Sequence, residues 1–108
     1  MAVLGEVQFV KIDNAAAADA TLVAAQAAGV KIRVLAFGMV AAAAAVVSFQ
    51  SGTGGTALTG PMTMATGSPI TTDAEPFGVF ETAAATLLNL HQTGAVQVSG
   101  YLLWCTAS

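Results

Sequence analysis

The sequence feature that most narrows the possible folds is a period-two alternation of apolar and polar residues. From Val30 to Val34, valine and isoleucine alternate with Lys31 and Arg33. The segment from Val96 to Trp104 alternates in the same way, with Gly100 as an expected bulge or bend. Successive side chains of a β-strand point to opposite faces of the sheet, so both patterns predict strands with one buried face.

Shorter strand patterns fill much of the remaining chain, separated by turns rich in Gly, Ser, Pro and Asp. The dipeptide Thr93-Gly94 is short enough to predict a hairpin between the last two strands. This spacing predicts an all-β chain of about eight strands, an antiparallel β-sandwich or jelly-roll-like barrel, as a single domain over residues 1–108. The further expected strands are Val7–Ile12, Thr21–Ala24, Ala43–Gln50, Leu58–Ala65, Phe77–Glu81 and Thr86–His91.

Two alanine runs complicate this prediction, because alanine is the best helix former. Ala15–Ala18 follows Asp13-Asn14 and is expected to form a loop or one helical turn. Ala41–Ala45 lies between apolar strand residues and is expected to form a strand or a strand-turn-strand.

Charge is scarce, since 8% of the residues are charged and 56% are hydrophobic. Soluble domains average about 25% charged residues, so we expect part of this surface to be covered by copies of the chain or by a larger assembly. Both faces turn apolar along Val30–Met39, which predicts a subunit contact there and near Val96–Trp104. The apolar run Val34–Val47 is shorter than the roughly 20 residues of a membrane-spanning helix, and Met1–Glu6 lacks a signal-peptide pattern.

The ionisable residues exclude several functions. Lys11, Lys31 and Arg33 are the three basic residues and form no cluster, so no nucleic-acid binding is expected. Cys105 is the one cysteine, which leaves a buried apolar role, an intermolecular bridge or a reactive thiol open.

No catalytic, cofactor-binding or metal-ligating residue can be assigned, and the chain is not expected to be an enzyme. His91 is the only histidine, and its nearest carboxylate in sequence is Glu81. We expect its ring at the surface or in a subunit contact. Asp73-Ala74-Glu75 offers two possible oxygen ligands but is better read as a solvated loop. Tyr101 and Trp104 face opposite ways on one strand, which predicts one core anchor and one rim or interface residue.

Several pieces of the C-terminal half resemble small structural proteins encoded among the head and tail genes of tailed bacteriophages. The resemblance covers roughly the last 60 residues and rests on Phe49–Gly52, Thr56–Met64, Pro76–Thr82 and Leu88–Tyr101. It implies a β-sandwich that decorates the outer surface of a virion capsid as a cement protein, binding the major capsid protein, as a homotrimer, and stabilising the shell. The alternative is a tail or fibre module that binds a receptor or glycan through the loop Asp73–Phe77; a small enzyme is the weakest reading.

Overall fold

The structure, a computed structural model, describes residues 5–75 and 77–108. Those residues form ten β-strands and no helix. None of the elements described is therefore a helix long and apolar enough to cross a membrane. The strands are β1 (Gln8–Asn14), β2 (Ala18–Val23), β3 (Lys31–Ala41), β4 (Ala45–Ser51), β5 (Thr56–Ala57), β6 (Met62–Met64), β7 (Ile70–Thr71), β8 (Phe80–Glu81), β9 (Leu88–Thr93) and β10 (Val98–Ala107).

The strands build two antiparallel sheets. Sheet A has the order β1-β10-β3, with β7 and β8 both pairing with the far edge of β3. Sheet B has the order β2-β9-β4, with β5 and β6 both pairing with β4. If β5 with β6, and β7 with β8, are each counted as one interrupted strand, the two sheets hold about eight strands in the order of a jelly roll. The prediction of an all-β antiparallel sandwich is confirmed.

One apolar core lies between the sheets. Phe37 of β3, Phe49 of β4 and Phe80 of β8 form its aromatic centre, with ring centroids 4.9 Å apart for Phe37–Phe49 and 5.3 Å apart for Phe49–Phe80. Tilted rings at this spacing add to the free energy gained from area burial. The other buried core residues are Ile12, Val23, Ile32, Val34, Met39, Ala41, Ala45, Val47, Met64, Leu88, Leu90, Val98, Leu102 and Trp104.

Both alanine runs are non-helical. Bends occupy Ala16 and Ala17, and Ala18 starts β2 with a φ of 69°. The second run is a strand-turn-strand, because β3 ends at Ala41 and β4 begins at Ala45 in the opposite sheet.

The predicted hairpin at Thr93-Gly94 is wrong, because β9 belongs to sheet B and β10 to sheet A. The connection crosses between the sheets, and Gln92 holds it in place. The fully buried Gln92 side chain donates from Nε2 to the carbonyl oxygens of Gly94, at 3.2 Å, and Val96, at 2.7 Å. The Gln92 amide thus satisfies two backbone carbonyl groups of the connection. In a two-residue hairpin, backbone hydrogen bonds between the two strands would have satisfied such groups.

The bulge expected at Gly100 lies elsewhere. The pairing of β10 with β3 changes register between Leu103 and Trp104. Gly100 instead pairs regularly with Met39, and a side chain there would meet the β3 backbone. Glycine at this position permits close approach of two strands.

The central part of β3 is buried within a single chain, and the subunit contact predicted along Val30–Met39 stays a prediction. The free edge of β3 is covered by the segment 70–82. In that segment the backbone amides of Thr72 and Glu75 donate to the carbonyls of Phe37 and Leu35, both at 2.9 Å. The edge of β3 that faces away from β10 is therefore paired with its own chain.

Candidate functional site

A row of polar side chains crosses the outer face of sheet B. His91 Nδ1 lies 3.0 Å from Asp19 Oδ1, although 72 residues separate them in sequence. The fully buried Asn89 donates from Nδ2 to Asp19 Oδ1, at 2.8 Å, and to Gln50 Oε1, at 2.9 Å. Hydrogen bonds from His91 and then from Asn89 hold the pKa of Asp19 below its ordinary value. The sequence placed His91 at the surface but missed Asp19 as its partner.

The polar row contains residue types known from hydrolases, since Ser48 of β4 stands opposite His91 in register. A nucleophilic serine works when its hydroxyl reaches a base at about 2.6–3.2 Å. His91 and Ser48, both within the described residues, share no hydrogen bond. The row lines neither the depression beside Arg33 and Glu81 nor the one beside Tyr101. The row is a network of hydrogen bonds on the outer face of sheet B. The expectation that the chain is not an enzyme stays a prediction.

An ion-pair cluster at the start of β3 was not predicted. Arg33 donates to Glu81 Oε2 from Nε at 3.1 Å and from Nη2 at 2.9 Å, and Lys31 Nζ lies 3.3 Å from Oε1. The Arg33 hydrogen bonds are the main cause that lowers the pKa of Glu81. Lys31 and Arg33 are two positions apart on a strand, which places them on the same face. Glu81 lies some 50 residues away in sequence. Only the sheet pairing of β3 with β8 brings them together.

The acidic loop is solvated, as expected. Asp73 and Glu75 are exposed, and Pro76 lies outside the described residues. Phe77 is 84% exposed beside them, so the loop offered as a glycan-binding site does present an aromatic ring. Among the described residues, no group of three His, Cys, Asp or Glu side chains is placed to hold a metal ion. Receptor or glycan binding stays a prediction.

Cys105 lies in β10 opposite Arg33 and is buried, which matches its reading as a small apolar residue. Burial raises the pKa of the Cys105 thiol, and the nearby Arg33 guanidinium opposes this more weakly. A buried, protonated thiol is a poor nucleophile.

The outer face of sheet A is the most unusual surface, and we refer to it as the sheet A face. It is formed by residues of β1, β10 and β3 that share one side of the sheet. Phe9 is 66% exposed and Tyr101 is 42% exposed on it, while Trp104 of the same strand as Tyr101 is in the core. The prediction for Tyr101 and Trp104, one rim residue and one core anchor, is confirmed. Its residues are Phe9, Lys11, Asp13, Ala36, Gly38, Val40, Ser99, Tyr101 and Leu103.

A shallow apolar depression of about 230 Å³ lies on the sheet A face beside Tyr101. Gly38, Val40, Pro69 and Thr71 line it together with that ring. The charged side chains among the residues just named are Lys11 and Asp13, a loose pair at 3.7 Å, and beyond the register shift the same side of the sheet carries Lys31, Arg33 and Glu81. A sandwich with both outer faces in water would carry polar residues on both. Sheet B follows this rule, and on sheet A the Lys31–Arg33–Glu81 ion pairs share the outer face with the exposed rings of Phe9 and Tyr101.

The strand order defines a jelly-roll β-sandwich, with exposed aromatic rings on one outer face and a hydrogen-bonded polar row on the other. No family model matches the sequence, and no curated protein matches it. Among solved structures, the chain is similar to a subunit from Bacillus endospore appendages, described as a novel family of disulfide-linked pili. The two are 18% identical with a TM-score of 0.55, over 98% of this chain and 88% of that one. At this identity the similarity supports the shared fold alone.

Proposed function

We propose that this chain is a structural subunit that assembles with copies of itself. The observation that carries the proposal is the exposure of large apolar side chains on a charge-poor molecule. Phe9, Phe77 and Tyr101 are exposed, as are Val7 and Val79. All three basic side chains are already engaged with carboxylates of the same chain. A subunit whose assembly buries these apolar groups gains free energy roughly in proportion to the area removed from water.

The similarity to a pilus subunit supports an extended assembly as the form of this proposal. Jelly rolls leave sheet edges available, and β1 and β2 are uninterrupted edge strands of seven and six residues. On the opposite side of the sandwich, the edges consist of short interrupted strands. Repeated contact between unlike surfaces produces rings or filaments.

The proposal is tested by the assembly state of the purified chain. We expect light scattering after size exclusion to show species larger than a monomer at micromolar concentrations. Negative-stain electron microscopy should then show regular particles or filaments. A chain that remains monomeric up to about 1 mM, the weak end of the affinity scale, would overturn the proposal.

A second candidate is the capsid decoration role that the resemblance of Thr56–Met64 and Leu88–Tyr101 to phage structural proteins favours. In that role the chain forms a homotrimer, binds the major capsid protein and lies on the outer surface of the virion. Electron microscopy separates the two candidates, because decoration predicts discrete trimers and pilus-like assembly predicts filaments. Filaments formed by the chain alone would count against decoration.

A further inference from the structure

We propose that the sheet A face pairs with the same face of a second copy of this chain, about a two-fold axis. This inference rests on the proposed self-assembly and names the surface and the partner. Within the contact we place Phe9 and Tyr101. Their strands pair directly, since Phe9 stands opposite Leu103 and Lys11 opposite Tyr101.

The contrast between the two outer faces is the first argument. On sheet B, the outward positions Asp19, Ser48, Gln50 and His91 are polar, and a hydrogen-bonded row ties three of them together through Asn89. On sheet A, the Lys31–Arg33–Glu81 ion pairs lie beyond the register shift, and the rest of the outer face exposes the apolar rings of Phe9 and Tyr101. Adjoining exposed apolar side chains on one face of an otherwise ordinary sandwich mark an interaction surface.

The charges on the sheet A face point to a second copy. In a two-fold interface, residue i of one subunit meets residue j of the other, and j meets i. Lys11 and Asp13 lie two residues apart on β1 and point the same way. Their charged groups are loosely paired at 3.7 Å, with side chains 76% and 57% exposed. Crossing two β1 strands therefore exchanges partners, Lys11 with the other copy's Asp13, and leaves no charge unmatched.

The dimensions of the molecule fit such a pairing. Its principal extents are 42 × 26 × 20 Å, so a broad face of the sandwich offers on the order of 1,000 Å². A stable interface buries about 800 Å² on each partner. The broad face of the molecule, sheet A together with its flanking loops, is thus of the size that a specific dimer needs.

A two-fold pairing covers the sheet A face of both copies and leaves none free for a third copy, so it gives a dimer. Larger assemblies then need a second contact, for which the exposed Phe77 and Val79 remain on the β7–β8 connection. The polar row on sheet B stays on the outside of the dimer. Two-fold dimers are accordingly the building block of the proposed assembly.

Matched lysine substitutions on the two edge strands test the pairing. Phe9→Lys places a charge on the sheet A face, and Thr21→Lys places the same charge on exposed β2 of sheet B. We expect Phe9→Lys to weaken association at least tenfold in sedimentation equilibrium, while Thr21→Lys and Phe9→Leu associate like the native chain. Both sites are exposed, so melting temperatures should move by less than about 4 °C. Equal association of all four proteins would overturn the pairing and leave the proposed function standing.

A cross-linking experiment keeps the test decisive if Phe9→Lys fails to fold. In a Cys105→Ala background, Lys11→Cys should form a symmetric dimer with a short bis-maleimide, because two copies of residue 11 approach across the axis. Thr93→Cys, exposed on sheet B, should not form one. Cross-linking at Thr93 alone would overturn the pairing, and a native chain that stays monomeric would overturn the proposed function itself.

Discussion

The ring of Tyr101 lies across Gly38 on the neighbouring strand. A Cβ added to Gly38 would stand 2.8 Å from Tyr101 Cε1 and 2.9 Å from Cζ. The ring takes the space that a side chain on β3 would otherwise fill, and it screens the backbone of β3 from water. Gly38 thereby fixes the position of the most central aromatic residue on the sheet A face.

Gly38→Ala should change the shape of the sheet A face with little effect on the stability of the fold. The atoms that the new methyl group would meet belong to the free end of the Tyr101 side chain, which can swing away. We expect a change of less than about 1 kcal/mol in the free energy of unfolding, because alanine in a strand also restricts the unfolded chain. Self-association should nevertheless weaken. Urea denaturation and sedimentation equilibrium measure the two effects, with Gly60→Ala, which adds a methyl group in open space, as the control.

Gly100→Ala should have the opposite outcome. Its added methyl group would lie 2.7 Å from the Met39 Cα and against the Gly38 carbonyl, and both are backbone atoms. The two central strands of sheet A would have to separate. We expect a loss of about 2–3 kcal/mol in the free energy of unfolding, the upper part of the usual range for overpacking, because the atoms met are backbone. A native-like urea midpoint for Gly100→Ala would contradict the close approach of β10 and β3.

Acid should remove the stabilisation that Glu81 supplies. Its pKa is lowered in the folded chain, chiefly by the Arg33 hydrogen bonds. The stabilisation is therefore fully present above the ordinary value of 4.5 and is lost as the pH falls through the lower folded pKa. Glu81→Gln should cost less than about 1 kcal/mol at pH 7, because the carboxylate is a third exposed. Urea curves of the native chain and Glu81→Gln should converge towards pH 3; Asp73→Asn serves as the exposed control.

Cys105 should play no part in joining subunits. The thiol is buried and its pKa is raised by burial, so disulfide exchange is slow while the sheet is intact. We expect a thiol reagent to react with the denatured chain at least tenfold faster than with the native one. Assemblies should run as monomers on non-reducing denaturing gels. Dimers that disappear when a reductant is added would contradict this. They would show that subunits of this chain are joined by disulfides, as described for the pili that it resembles in fold.

The long strands were predictable, whereas their partners were not. Alternation around Lys31 and Arg33 located β3, because burial of one face imposes a period of two on the residue types. Nothing local distinguishes a turn that continues a sheet from one that crosses to the other sheet, so Thr93-Gly94 was misassigned. The same limit hid Asp19 beside His91 and Glu81 beside Arg33. These pairs depend on the strand order, which only the packing of the whole chain determines.

The strand order also determines at which stage of synthesis the sheet A face can form. Its two aromatic residues, Phe9 on β1 and Tyr101 on β10, come from strands that pair directly although about ninety residues separate them. During synthesis β1 has no neighbour in sheet A until β10 emerges, since β10 lies between it and β3. Among the described strands β10 is the last in sequence, so the surface proposed for pairing is completed only when β10 has joined sheet A. The proposed pairing is therefore expected only between chains in which β1, β10 and β3 already form sheet A.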